Sequence, residues 1–442
     1  MNIASEPIGL SRFCWVSSIL LLALMCFFQV LNFLEFADMD FRIYYDASIA
    51  LRSGKDIFAA WNPDSPLTYI YPPLLAILFI PLTFLPLEVA AALWTVISMS
   101  LLFACLWVGA REVMARFDGR IDVATLPVII LIATLLSLPR IKSEIDQGQV
   151  DYLILFGIIG SLALLRRHPF LAGVVLGLVA NIKYQTIIFI PLIVVRGWWS
   201  TLLGFLLGSI GVALSGAFVI GWDLNLDYLR DSLSSIVLLF GGEVPADEGP
   251  LVYPLEWVES VSLSSTCARW ANSVGWEVRG AYLMIGLSSL ICFVIGWSIY
   301  LCHGLSLFRG RWGASGRTSA RFQGLIALEW TGLLVAVLAF APQTKMRHMA
   351  ILVLLMILVA QFLVVKRDPV PRWPILLAAV VFMMSMVLPL ETVSEGFVMG
   401  ARETWRANGG VVFPLLLLLF VALWTGCAWT RHSVDRSDAE AR

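Results

Sequence analysis

Residues 15–52 read WVSSILLLALMCFFQVLNFLEFADMDFRIYYDASIALR, and they decide the fold class. Trp15 to Leu34 is one apolar run of the ~20 residues that a helix needs to cross a hydrocarbon core. It follows Arg12 as a secretory signal would, but it runs too long. It ends in FLEFADMD without the small-residue site that cleavage requires, which predicts an uncleaved anchor. Directly after it come Asp38, Asp40 and Asp46 with Tyr44 and Tyr45. A crossing is thus followed at once by a segment rich in carboxylates and aromatic hydroxyls.

The rest of the chain extends this pattern. Of 442 residues, 59% are hydrophobic and 14% charged, against roughly 45–50% and 25% in an average soluble domain. A soluble fold is excluded. Further apolar segments run from Val89 to Ala110, Ile121 to Leu138, Val150 to Leu165, Trp198 to Ile220, Ala281 to Cys302, Leu325 to Ala341, Met349 to Val365, Pro374 to Leu390 and Val411 to Trp429. Between Phe170 and Val195 two short apolar runs flank Asn181, Lys183 and Gln185, the pattern of short or re-entrant helices. Tyr71 to Leu85 reads as one more short membrane-entering helix. The expectation is an all-α integral membrane protein, a single domain over 1–442 with ~12 transmembrane helices. Its first outer loop (35–70) should carry short amphipathic helices.

Charge segregation supplies the orientation. Arg111/Arg116/Arg120, Arg166/Arg167, Arg196, the basic loop 304–324 and Lys366/Arg367/Arg372 fall on one side with both termini, which the positive-inside bias assigns to the cytoplasm. The acidic loops, Glu35 to Pro66, Arg140 to Gln149, Gly221 to Arg279, Pro342 to His348 and Glu391 to Gly410, fall on the other. The 7 cysteines lie mostly in apolar stretches, so no disulfide framework is expected. No phosphate loop of the GxxxxGK[ST] type, dinucleotide fingerprint or metal-ligand cluster occurs, and no cofactor or metal is implied.

Four elements carry candidate chemistry. A single Asp in an outer loop ordinarily does no more than solvate it. Asp40 differs because it opens an aromatic-rich helix, where a carboxylate is stabilised and oriented, and the YPP turn beyond it folds the chain back to the bilayer. Lys183 lies within the membrane profile; it either snorkels to the headgroups or meets an anion such as a lipid phosphate. Lys345, Arg347 and His348 form a basic triplet at an outer helix end, against the positive-inside bias; interfacial anchoring is the competing explanation. Arg140, Gln147, Gln149 and Asp151 stand at the lip of a helix. A proton-accepting carboxylate facing cations on one side of a membrane suits displacement at a carbon bearing a phosphate leaving group, and a lipid-linked sugar is such a substrate.

The blocks DFRIYYDASIALRSGKDIF (40–58), YPPLLAILFIPLTFLP (71–86), GQVDYLILF (148–156), AGVVLGLVANIKYQTIIFIPL (172–192) and HMAIL (348–352) resemble, in order and spacing, glycosyltransferase family 87. These are the GT-C polyprenol-phosphate-mannose-dependent mannosyltransferases. The resemblance implies a GT-C helical bundle and an inverting transfer of a hexose, mannose first, from a polyprenyl-phosphate donor. The acceptor would be a lipid or glycan at the outer face of the cytoplasmic membrane. Asp40 matches the family's catalytic aspartate, Lys183 the lysine of its short-helix motif, and His348 the late histidine that faces the donor phosphate. Arg347, Gln149, Tyr44 and Tyr45 join them as expected substrate-binding residues. Gly54 would serve a turn. Asp151, where the family often has Asn, and Tyr184, where it often has Pro, depart from the pattern.

Other readings remain open at this point. A transporter or flippase of a lipid-linked saccharide would also need cations and aromatics in a membrane cavity, but with charges on both sides of the span. A GT-C enzyme with another sugar donor and a non-catalytic relative are the others. The aromatic residues of loop 221–279, namely Trp222, Tyr228, Tyr253, Trp257, Trp270 and Trp276, either offer platforms for sugar rings or anchor at the interface, and anchoring is the expectation.

Overall fold

Runs of apolar residues with few turn formers leave the backbone only one way to satisfy its hydrogen bonds in lipid, and that is helix. The computed structural model describes residues 7–35, 40–58, 69–119, 121–239, 254–276, 278–305, 322–367, 370–387 and 404–440, and among them no strand occurs. The helices are α1 (Pro7–Glu35), α2 (Asp40–Arg52), α3 (Pro73–Phe79), α4 (Leu87–Asp118), α5 (Leu126–Gln147), α6 (Asp151–Leu164) and α7 (Pro169–Ala180). They continue with α8 (Phe189–Val195), α9 (Trp199–Ser215), α10 (Ala217–Ile220), α11 (Trp222–Leu239), α12 (Leu263–Ser273) and α13 (Val278–Cys302). The last are α14 (Gln323–Phe340), α15 (Val353–Val364), α16 (Trp373–Val387) and α17 (Val412–Glu440). Among the described residues, 8 helices are long and apolar enough to cross a membrane, and shorter apolar helices sit at each place where the sequence has a short apolar run. The protein is a polytopic helical membrane protein.

The centre of the bundle is α15 with the 3₁₀ turn Met346–Leu352 that leads into it: every residue from Met349 to Phe362 is buried. A helix apolar all round must be enclosed by others or by lipid. The opposite case is α13, where only Ala281, Ile299 and Tyr300 are buried. The closest helix pair is α7 with α9. Gly173 and Gly177 face Gly204 and Gly208, and a Cβ on Gly177 would stand 2.4 Å from Phe205 O, one on Gly208 2.6 Å from Val174 O. Small residues four apart let two backbones touch, which is how helices associate where lipid offers no hydrophobic drive.

The structure corrects two sequence boundaries. The segment Arg140 to Gln149 is not a loop: α5 starts at Leu126, passes through Pro139 and continues helical to Gln147. The polar residues Arg140 and Glu144 in that extension are buried by neighbouring helices, which a hydropathy reading cannot distinguish from exposure. The stretch 221–279 contains α11 and α12 rather than one open loop. Parts of the expected loops, 36–39, 59–68, 240–253, 306–321 and 388–403, lie outside the described residues. The start of α2, the junction of α5 with α6, the break after α7 and the 3₁₀ turn before α15 meet at one end of the bundle.

Candidate active site

Asp40 begins α2, where the unpaired N–H groups of the first turn favour a carboxylate. The buried positions Asp40, Phe41, Tyr44, Tyr45, Ala47, Ser48, Ala50 and Leu51 form one face of this helix. Gly54 then takes φ +66° to end it, a conformation that suits a residue without Cβ. Asp40 is 6% exposed. Its Oδ2 lies 2.5 Å from Arg347 Nη2 and also accepts from Gln149 Nε2. Gln149 and Arg347 thus converge on one oxygen of this carboxylate.

Gln149 is the junction of the cluster. Its Oε1 accepts from Tyr44 Oη at 2.6 Å and from Lys183 Nζ at 3.0 Å, while its backbone oxygen accepts from Trp94 Nε1 at 3.2 Å. The chain reaches it through Gly148, which caps α5 at φ +63°; a Cβ there would stand 2.7 Å from the Cβ of Phe41. Lys183 sits at the break between α7 and the 3₁₀ turn Tyr184–Ile188, in extended conformation. Its ammonium is 2.7 Å from Asp151 Oδ1 and packs over the Tyr71 ring at 5.3 Å. Asp151 opens α6, and its N–H donates to Glu144 Oε1 at 3.0 Å. Burial holds the Tyr44 phenol well above its ordinary value of 10.0, so it remains a proton donor in this network.

The cationic side comes from the segment before α15. Arg347 also donates to Gln147 Oε1 at 3.3 Å. Lys345 lies over the Trp257 ring at 4.4 Å, and burial, then the charge of Arg347, pushes its ammonium down to about 8. Asp40 and Glu259 act on it in the opposite direction. His348 accepts from the Lys345 backbone N–H through Nδ1 at 3.3 Å, and Lys183 and Arg347 are among its charged neighbours.

Of the residues expected from sequence, Asp40, Tyr44, Gln149, Lys183, Arg347 and His348 come together here. Tyr45 does not; its hydroxyl donates to Leu85 O at 2.7 Å and ties α2 to the turn before α4. Asp46 pairs with Arg42 at 3.3 Å, Asp38 and Tyr253 lie outside the described residues, and Arg140 turns toward α16, over the Phe382 ring. Trp257, read as an anchor, carries Lys345. Sequence reasoning missed Glu144, Tyr71 and Trp94. The signal for Glu144 was a carboxylate four residues before a glycine at the end of an apolar helix, hidden because Pro139 reads as a stop.

Residues 69–311 match glycosyltransferase family 87, more than half of the chain. This chain belongs to that family. Tyr71, Trp94, Gln149, Asp151 and Lys183 lie within the matched stretch, and Asp40 and the Lys345–His348 segment lie outside it. Two curated relatives carry the same name, polyprenol-phosphate-mannose-dependent alpha-(1-2)-phosphatidylinositol pentamannoside mannosyltransferase. The one from Mycobacterium tuberculosis (strain CDC 1551 / Oshkosh) is 25% identical over 127 residues, 29% of this chain and 28% of that protein. The one from Mycolicibacterium smegmatis (strain ATCC 700084 / mc(2)155) is 32% identical over 127 residues, 29% of each chain. The match spans less than a third of either relative's length. No solved structure matches. What the match and the helices establish together is a multi-pass helical membrane protein of family 87.

Proposed function

We propose that this family 87 enzyme transfers a hexose, mannose first, from a polyprenyl-phosphate-linked donor to a hydroxyl of a lipid or glycan acceptor. The reaction lies at the outer face of the cytoplasmic membrane, with both termini in the cytoplasm, in keeping with the basic loops on the opposite side. The observation that carries the reading is the buried Asp40 carboxylate, fixed through Oδ2 by Gln149 and by Arg347 from the far end of the chain.

The Asp40 carboxylate takes the proton of the acceptor hydroxyl as that oxygen bonds to the anomeric carbon. The bond from the anomeric carbon to the phosphate oxygen breaks on the opposite face, and its electron pair leaves with polyprenyl phosphate. The configuration inverts. Negative charge grows on the departing phosphate, and preorganised cations in a site shielded from water stabilise it strongly; Arg347 and Lys345 beside His348 fill that role. The relatives' name, with its dependence on polyprenol-phosphate-mannose, supports the donor assignment.

The test is purified protein in nanodiscs with radiolabelled polyprenyl-phosphate-mannose and a panel of lipid and glycan acceptors. Wild type should label one acceptor class, and Asp40→Asn should lose roughly 10²–10⁴ of the rate, the usual share of a general base. Full transfer by Asp40→Asn would move the base elsewhere. Transfer only from a different polyprenyl-phosphate sugar would remove mannose.

A further inference from the structure

We propose that Lys183 is a positioning residue for Asp40, not a ligand of the donor phosphate, and that Asp151 is the residue that holds it in that role. The proposal deepens the reading of Asp40 as the base and rests on it.

An ammonium has three N–H donors and no acceptor. In Lys183 one N–H is directed to Asp151 Oδ1 at 2.7 Å and a second to Gln149 Oε1 at 3.0 Å, and the Tyr71 ring lies 5.3 Å from Nζ. Lys183 is 5% exposed and Asp151 0%. The charge is therefore neutralised at short range by a carboxylate with no route to solvent. A phosphate would have to displace that carboxylate from the start of α6, where its own N–H is held by Glu144.

What the ammonium does instead is decide which way Gln149 faces. A glutamine amide can present either its oxygen or its NH₂ to a given neighbour, and the surrounding bonds select the orientation. Tyr44 Oη alone would not select, because a hydroxyl both donates and accepts. Lys183 only donates, so the Gln149 oxygen must point to it, and the NH₂ is then turned onto Asp40 Oδ2. Asp151 thus controls the base at two removes, through the position of Lys183 and the orientation of Gln149. Arg347 and Lys345 come from a different part of the chain and contact Asp40 and Trp257 instead. Lys183 thus comes from a different chain segment than the cations assigned to the phosphate, while Arg347 shares Asp40 Oδ2 with Gln149.

The experiment measures donor affinity and turnover separately. Equilibrium binding of radiolabelled polyprenyl-phosphate-mannose to Lys183→Met in nanodiscs should stay within about twofold of wild type, while kcat falls by about tenfold to a hundredfold, as misplaced catalytic groups do. Asp151→Asn should show the same split, since the lysine then loses its anchor. The double variant Lys183→Gln with Asp151→Asn replaces the ion pair by neutral groups that still hydrogen-bond but leaves Gln149 without a donor-only neighbour, so its turnover should stay as low as that of Lys183→Met with donor affinity kept. It also serves if a single variant fails to fold. A tenfold or larger loss of donor affinity in Lys183→Met, or in the double variant, would return the lysine to the phosphate and overturn the proposal. Retained transfer by Asp40→Asn would remove the base reading by a different readout, with the donor-affinity result standing by itself.

Discussion

Asp40 Oδ2 and Arg347 Nη2 are 2.5 Å apart, so the carboxylate that opens α2 and the cation that precedes α15 form one ion pair across the site. Arg347 has two tasks there. In the proposed reaction it fixes the base before the donor arrives and offers positive charge where phosphate leaves. The Arg347 and Asp40 side chains are 15% and 7% exposed, and a pair this enclosed leaves a poorly solvated charge when one partner is removed. Arg347→Gln should raise the donor KM by about tenfold, which is ~1.4 kcal/mol of binding, and lower the thermal midpoint. Steady-state kinetics at varied donor concentration check it; an unchanged KM would place the leaving phosphate elsewhere.

Lys345 gives the site a pH dependence with a definite sign. Its ammonium sits down at about 8, against an ordinary 10.5, first because it is buried and then because Arg347 is near. A lysine holds an anion only while protonated, so the donor KM should be flat below neutrality and rise as pH passes 8. Lys345→Arg, whose guanidinium stays charged, should flatten the rise. Stability moves the other way: a folded value below the unfolded one means that stability present above 10.5 is lost as pH falls through 8. A KM that holds constant to pH 9.5 in wild type would take Lys345 out of donor binding.

Gly148 tests how tightly the base and its amide partner are packed. It needs φ +63°, and a Cβ there would lie 2.7 Å from the Cβ of Phe41, the neighbour of Asp40. Gly148→Ala must therefore shift both Gln149 and the start of α2. Turnover should fall by about a hundredfold, because a displacement near 1 Å at a reacting group costs that much. Gly54→Ala also meets a positive φ but has nothing within 4 Å, so its loss should be smaller. Equal rates for Gly148→Ala and wild type would show that the Phe41 contact does not set the site.

Much of this architecture was legible in residue pattern. Apolar runs separated by basic clusters announced the crossings; Asp40 stood out at the start of an aromatic-rich helix, Lys183 as a charge within the membrane profile, and the Lys345–His348 triplet as cations against the positive-inside bias. What hydropathy could not convey was burial of polar groups by other helices. Arg140 and Glu144 read as loop because they are charged and follow Pro139, yet both are enclosed in the helical extension of α5. Tyr45 was misleading in the opposite sense. It stands beside Tyr44 in sequence, but successive helical residues point about 100° apart, and its hydroxyl reaches Leu85 instead of Gln149. Which of two adjacent tyrosines enters a site depends on the rotation of the helix, set by packing from residues distant in the chain.

The glycines of α7 and α9 predict a graded result along one helix face. A Cβ at position 208 would stand 2.6 Å from Val174 O and 2.8 Å from Val174 Cα, whereas one at Gly211 in the same helix meets nothing within 4 Å. Gly208→Val should force the helices apart and cost about 1–3 kcal/mol or more, the usual range for overpacking. Gly211→Ala should be tolerated. Since α7 leads directly into Lys183, the first change should also lower turnover. Thermal unfolding in detergent with parallel activity measurements reads both effects, and equal midpoints for the two variants would rule out backbone contact as the basis of the α7–α9 pair.

A second ion pair, away from the candidate site, separates structural charge from functional charge. Arg196, at the end of α8, pairs with Glu329 of α14, which also accepts from Tyr300 Oη at 3.1 Å. The side chains are 1% and 9% exposed. Taking away one member of a buried pair costs about 3–5 kcal/mol, because the other charge is left without a partner, whereas replacing both by apolar groups of similar size is often neutral. Arg196→Met alone should therefore lower the thermal midpoint sharply, and Arg196→Met with Glu329→Leu should restore much of it. Protein that survives purification in either form should keep the wild-type donor KM, since neither residue touches the Asp40 cluster. A raised donor KM in the thermally restored double variant would mean that this pair also communicates with the Asp40 cluster.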